Sequence, residues 1–221
     1  MRCKSCWSLQ LLGLDWIKDS YWGDTSTRYD EGRTQRNKIV YALADHIRYT
    51  LFNKDKPRLL DYGSGKEALL HHFINKFGQN FEVANYDPYV DKYKEMPAGK
   101  FDIVMCVEVL EHLANVESFY ETMNDALTKN GVVVCSTETY IPFGPKAHNL
   151  KWKYMTRNIG QHITFWTKRS LAHMGKMLGA KRCAMLKFPN KLGLEFYIFC
   201  AGSSTEFLAK TPFRIIDLPT K

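Results

Sequence analysis

The chain lacks any run of 18 or more apolar residues, which excludes a membrane-spanning helix. Its first residues, Met1-Arg2-Cys3-Lys4-Ser5-Cys6, lack the apolar stretch of a secretory leader, so a cytoplasmic location is expected. Cysteine is sparse: six residues, at 3, 6, 106, 135, 183 and 200. Four of them sit in apolar, strand-like runs, which fits reduced thiols better than a disulfide framework. Cys3-x-x-Cys6 is half of a zinc-ribbon spacing, with no second pair nearby to complete four ligands. Repeats and low-complexity segments are absent. Acidic residues are absent too from Thr139 to Leu194, which holds eleven Lys/Arg. The net charge of +8 is therefore lopsided: residues 1–110 balance to +1 and residues 111–221 to +7. Such a field favours anionic partners, namely a phosphorylated or nucleotide-linked small molecule, a nucleic acid or an acidic membrane surface. A solvated basic face is the plain alternative, since no RNA-binding motif accompanies it.

What is present is enough for one sizeable core: 221 residues, 45% of them apolar. Residues 1–34 have little periodicity and read as an irregular or weakly helical lead-in. Trp7, Trp16, Tyr21 and Trp22 within it are candidates for a lid or for ordinary packing. Ile39, Leu43, Ile47 and Leu51 recur every four residues and predict a helix over 35–53. Strand-like runs then follow at 58–62, 81–86, 101–107, 131–136, 181–188 and 194–201. Helical patterns fill 67–77, 115–129 and 168–178. Alternating strands and helices predict an α/β fold: a doubly wound, Rossmann-like, mostly parallel sheet. The last two strands are joined by Pro189-Asn190-Lys191-Leu192-Gly193, too short for a crossover helix, so they should pair as an antiparallel edge hairpin. The expected organisation is an N-terminal extension (1–54), a main domain (55–202) and a loosely ordered tail (203–221).

Three loops carry the chemistry. The strand 58–62 runs through Asp61 and Tyr62 into Gly63-Ser64-Gly65, followed at once by a helix. Glycines here let backbone approach a ligand, and ligands of open α/β sheets sit beyond the carboxyl ends of the strands. The third glycine of a dinucleotide fingerprint is missing, because Gly65 is followed by Lys66-Glu67-Ala68. A carboxylate in the turn suits a cationic amino group better than a pyrophosphate. Asp87, 22 residues after Gly65 and followed by Pro88, ends the second strand, where an acid can accept from both hydroxyls of a ribose. A tight ligand-free turn and an ordinary Asp-Pro turn are the plain alternatives. Third, the buried run Phe101–Val107 leads into Glu108-Val109-Leu110-Glu111-His112-Leu113.

In this order and spacing, D-x-G-S-G, the acid after the second strand and F-D-I-V…E-V-L-E-H-L resemble the class I S-adenosylmethionine-dependent methyltransferases. The resemblance covers residues 57–201. It implies that Asp61, Tyr62, Gly63, Ser64 and Gly65 line the methionine part of S-adenosyl-L-methionine, with Asp61 near its amino group. Asp87 and Pro88 would hold the ribose, and Glu108, Val109 and Leu110 would close over the sulfonium side. A bacterial branch is similar in detail, with a W-x-Y…H-x-x-F stretch matched here by Trp152-Lys153-Tyr154 and His162-Ile163-Thr164-Phe165. The chain departs from the common pattern once: only 13 residues separate Asp87 from Phe101. Either the usual helix–strand unit is reduced to a segment around Val90–Met96 or the strand is missing, and the acid often found near the adenine has no equivalent.

Methyl transfer needs positioning above all, and a base where the acceptor is a hydroxyl or a carbon acid. His112, His162 and Glu111 are the candidates; structural histidines bonded to backbone are the alternative. Glu108, Glu111, His112 and the later His162 also resemble Mg-dependent small-RNA 2′-O-methyltransferases and ubiquinone-pathway O-methyltransferases, which would imply a Mg²⁺ ion. The same string occurs in metal-free members, and no residue is assigned to a metal. The expected activity is methylation of a small or phosphorylated acceptor, at oxygen. The rivals are an RNA methyltransferase using the basic 139–194 surface and a catalytically silent module that keeps the cofactor fold.

Overall fold

The computed structural model describes residues 1–15, 31–52, 56–149, 151–155, 161–180, 182–187, 195–201 and 215–217. Trp16, Tyr21 and Trp22, the 189–193 connection and most of the 203–221 tail lie outside the described residues. The elements are β1 (Leu9–Gln10), α1 (Glu31–Leu51), β2 (Arg58–Tyr62), α2 (Leu69–Phe77), β3 (Glu82–Tyr86), β4 (Phe101–Val107), α3 (Val116–Ala126), β5 (Leu127–Ser136), β6 (Thr164–Phe165), α4 (Lys168–Met177), β7 (Arg182–Lys187), β8 (Glu195–Cys200) and β9 (Ile215–Asp217). Single 3-10 turns occupy Leu110–His112 and Lys153–Met155.

The main sheet has the order β3-β2-β4-β5-β8-β7-β9. The first four strands are parallel and the last three are joined antiparallel. Its strands alternate between two buried faces, as period-2 side-chain placement requires. Leu59, Ile103, Met105, Val132 and Val134 face one cluster, completed by Val40, Leu43, Ala44 and Ile47 of α1 and by Leu70 and Ile74 of α2. Leu60, Val104, Cys106, Val133 and Cys135 face the other, completed by Phe119 and Met123 of α3 and by Leu171 and Met174 of α4. Covering both faces is what makes the parallel strands read as continuous apolar runs.

The expected hairpin forms, with Cys183↔Phe199 and Met185↔Tyr197 in register, but it is not the edge. Ile215–Asp217, from the tail expected to be loose, pairs antiparallel with β7 and lies outside it. The expected 115–129 helix ends at Ala126, because Leu127 is already extended and pairs with Phe101. Phe77, seven residues after the buried Leu70 and so on the same side of the helix, is nevertheless 52% exposed and stacks on Phe73. The short gap resolves to the simpler option: residues 87–100 hold turns without a helix or strand, and among the described residues the sheet stops at β3.

Candidate active site

The loops after β2, β3 and β4 emerge at the same carboxyl end of the parallel strands, so topology brings the three sequence motifs together. Gly63 and Gly65 take φ of 78° and 67°, a region that favours glycine. Gly63 N–H and Ser64 N–H both donate to the Tyr86 carbonyl, at 2.7 and 3.1 Å. A Cβ on Gly63 would stand 2.4 Å from Val109 Cγ2, whereas one on Gly65 would meet nothing within 4 Å. The first glycine thus permits contact with the third loop, and the second keeps an open space.

Asp87 Oδ2 accepts from Gly65 N–H at 2.9 Å, and Oδ1 accepts from Tyr89 N–H at 2.9 Å. The carboxylate therefore fastens the glycine turn to its own loop while keeping lone pairs for a ligand. Asp61 is buried near the end of β2, and no ion pair to it exists among the described residues. Burial, with the Asp87 charge as a second cause, pushes its carboxyl up to about 7. A buried carboxylate of this kind calls for a cation. An open glycine cradle, a carboxyl that calls for a cation and an acid at the end of the next strand together fit S-adenosylmethionine, with its amino group and ribose.

The other residues expected at the cofactor are placed less directly. Tyr62 packs on Tyr86 and Phe119, with ring centroids 4.9 and 5.7 Å apart. Pro88 is exposed beside Asp87. The Leu110 side chain is buried in the core, and its carbonyl accepts from Trp166 Nε1–H at 2.8 Å. Glu108 takes a φ of 55°, unusual for a non-glycine residue. Ser136, which nothing in its sequence context marked, holds it: Ser136 Oγ accepts from Glu108 N–H at 3.1 Å and donates to Glu108 Oε1 at 2.7 Å.

The three catalytic candidates do meet. His112 and His162 lie edge to face with centroids 4.9 Å apart, although 50 residues separate them in sequence. Ile163 N–H donates to the Glu111 carbonyl at 2.8 Å, and Thr164 Oγ1 donates to the Leu113 carbonyl at 2.7 Å, which pins the two segments together. The N-terminal strand braces the arrangement from outside, with Leu9↔Phe165 and Gln10↔Thr164 paired and Leu11 N–H on the Ile163 carbonyl. Burial is the leading cause that holds both imidazoles below the usual histidine range. Glu111 is fully buried, and burial, reinforced by the Glu108 charge, pushes its carboxyl up to about 8. Tyr154 donates its hydroxyl to Glu111 Oε1 at 2.7 Å. Its own hydroxyl oxygen accepts from Glu138 N–H at 3.2 Å. That Tyr154 partnership was invisible in sequence, where 43 residues intervene.

A doubly wound sheet with a glycine turn, two acids and a histidine pair at its carboxyl end defines a class I S-adenosylmethionine-dependent methyltransferase. Residues 33–181 match the family model described as a methyltransferase domain, and the chain belongs to that family. No protein of curated function matches it in sequence. Among solved structures it is similar to the CMeT domain of the citrinin polyketide synthase, with 12% identity, a TM-score of 0.55 and coverage of 76% of this chain and 52% of that one. A protein of Nostoc punctiforme described as a candidate O-methyltransferase gives 15% identity, a TM-score of 0.53 and coverage of 75% and 56%. A chain from the complex of the Haloferax volcanii Trm112 methyltransferase activator with a candidate methyltransferase gives 13%, 0.52, and 77% and 95%. The chain thus spans about half the length of the first two. Among the described residues, no helix is long and apolar enough to cross a membrane.

Proposed function

We propose that this chain moves the methyl group of S-adenosylmethionine to an oxygen of a small or phosphorylated acceptor. The observation that carries the reading is the convergence of the Asp61–Gly65 turn, Asp87 and the Glu108–His112 turn at one end of the sheet, with open space beside Gly65. S-adenosylmethionine, when bound, supplies a methyl carbon already activated by its sulfonium. Asp61 then holds the amino group, Asp87 accepts from the ribose hydroxyls, and the Glu108–Leu110 turn closes the methionine side. The acceptor is bound toward His162, His112 and Glu111, which handle its hydroxyl proton. The Lys/Arg-rich, acid-free stretch 139–194 supplies a field suited to an anionic acceptor.

Isothermal titration with S-adenosylmethionine and S-adenosylhomocysteine tests the cofactor. Micromolar binding is expected, and no binding by folded protein would defeat the reading. His162→Ala should slow turnover by about 10²–10⁴-fold, the scale of general acid–base contributions, and leave cofactor affinity nearly intact. Normal turnover in that variant would remove His162 from the reaction.

One observation favours RNA as acceptor. Within the basic stretch, His148 stacks on Trp152 at 4.0 Å, and Tyr140 and Tyr154 flank Trp152 at 5.9 and 5.2 Å. Aromatic rings in a basic field suit unpaired bases. Tight RNA binding with a steep salt slope would favour this second reading, and salt-insensitive turnover of a small acceptor would exclude it.

A further inference from the structure

Cys3 and Cys6 take no part in the site above. The other four cysteines are buried, whereas these two are partly exposed. They share one closed turn. Cys3 N–H donates to the Ser8 carbonyl at 2.9 Å, and Trp7 N–H donates to the Cys3 carbonyl at 3.0 Å. Arg2 bridges Leu9 just outside it. A turn of this kind keeps the Cα atoms of Cys3 and Cys6 within about 7 Å, the reach of a disulfide. Trp7 follows with a φ of 61°, unusual for a non-glycine residue. Phe143 meets its ring edge to face at 5.4 Å, and the Arg169 guanidinium lies over it at 4.9 Å, so the turn is seated on the body of the protein.

The turn also activates one sulfur. The Cys6 N–H, the Cys6 thiol and the Ser5 N–H together hold the Cys3 thiol below its ordinary range. Cys6 Sγ lies 3.2 Å from the Ser8 hydroxyl. Accessible thiols with raised thiolate character, and with a second thiol beside them to resolve the product, are the ones that undergo disulfide exchange. Arg2 and Lys4, both exposed, flank Cys3 and attract an anionic disulfide. A structural metal needs four ligands, and among the described residues no third His, Cys, Asp or Glu clusters with the pair.

We propose that Cys3 and Cys6 are a redox-active dithiol, oxidised to an intramolecular disulfide by a low-molecular-weight disulfide of the glutathione type. The Cys3 thiolate attacks one sulfur of the small disulfide, and the other sulfur leaves as a thiol. The Cys6 thiolate then attacks the Cys3 sulfur of the mixed disulfide and releases the second small thiol. The protein loses two electrons and two protons, and the small disulfide takes up both as it becomes two thiols. The new bond closes the hairpin covalently. That hairpin holds the segment carrying His162, through the Cys6 carbonyl on Thr167 Oγ1 and through Leu11 N–H on the Ile163 carbonyl. The redox state of the pair therefore sets how firmly the segment is held. None of these steps depends on methyl transfer.

The full chain is equilibrated with mixtures of oxidised and reduced glutathione, quenched in acid, alkylated with N-ethylmaleimide after unfolding and weighed by mass spectrometry. Wild type should lose two alkylatable thiols and carry no glutathione. Cys6→Ser should instead hold one glutathione, on Cys3, and Cys3→Ser should take up glutathione more slowly. Hydrogen exchange at Leu11 N–H should slow by about 10-fold on oxidation, within the range of disulfide loop closure, and should not respond to glutathione disulfide in Cys3→Ser/Cys6→Ser. No glutathione on Cys6→Ser, a stable glutathione adduct on wild type, or a disulfide joining two chains would each overturn the dithiol. Zn²⁺ that co-purifies with the pair and blocks its alkylation until chelator is added would overturn it in favour of a metal site. An unchanged Leu11 exchange rate once the disulfide has formed would overturn its hold on the His162 segment.

Discussion

Asp61 costs the fold stability and suits it to a cationic ligand. Its carboxyl sits near 7 in the fold against 3.8 for the ordinary group. Below 3.8 both folded and unfolded chains hold the proton, and no energy is at stake. As pH rises toward 7 the unfolded chain ionises first and is favoured, until the full penalty of about 4 kcal/mol applies above 7. Asp61→Asn removes the charge. Its stability gain over wild type should therefore be about 2–3 kcal/mol larger at pH 8 than at pH 5 by urea denaturation, while cofactor affinity falls. A gain equal at both pH values would show that the carboxyl is not strained. Asp87→Ala removes the proposed ribose acceptor and two backbone anchors together. Titration should show S-adenosylmethionine binding weakened by about 1–3 kcal/mol, the scale for unpaired polar groups; unchanged affinity would defeat the ribose assignment. These residues were legible because each lies within a contiguous motif at a strand end. The pairings of Ser136 with Glu108 and of Tyr154 with Glu111 were not, because they join residues 28 and 43 positions apart in sequence.

Among the elements, α4 shows where local preference and packing disagree. Thr167 and Ser170 form a reciprocal capping box at its start. Gly175 inside it weakens the helix by about 1 kcal/mol relative to alanine. A Cβ there would stand 2.0 Å from Cys183 Sγ and 3.2 Å from Phe199 Cδ1. Gly175→Ala should accordingly destabilise the protein by about 1–3 kcal/mol despite its better propensity, through overpacking against β7 and β8. A more stable variant in urea would mean that the helix lifts freely. The same contrast explains α3: Leu127, Thr128 and Lys129 continue a helical pattern, yet pairing with β4 takes Leu127 into the sheet.

For the whole molecule, the N-terminal segment links the far end of the chain to the site. Besides the β1–β6 pairing, the Cys6 carbonyl accepts from Thr167 Oγ1 at 2.6 Å, and Gln10 Nε2 donates to the Ala114 carbonyl at 3.0 Å. Removing residues 1–12 should therefore lower turnover by loosening the segment that carries His162, with S-adenosylmethionine affinity little changed, since β2 and β3 are untouched. Parallel kinetics and calorimetry check this, and equal losses in both would instead indicate general unfolding. The sequence by itself determined the alternation of strands and helices, the buried faces and the three strand-end motifs, because these depend on period and on turn chemistry within a few residues. Only the tertiary structure decided that, among the described residues, the sheet stops at β3, that β9 covers the hairpin, and that His112, Tyr154 and His162 gather around the buried Glu111. Those outcomes depend on which segments meet across the fold, and meetings over 40 or more residues leave no periodic trace in the chain.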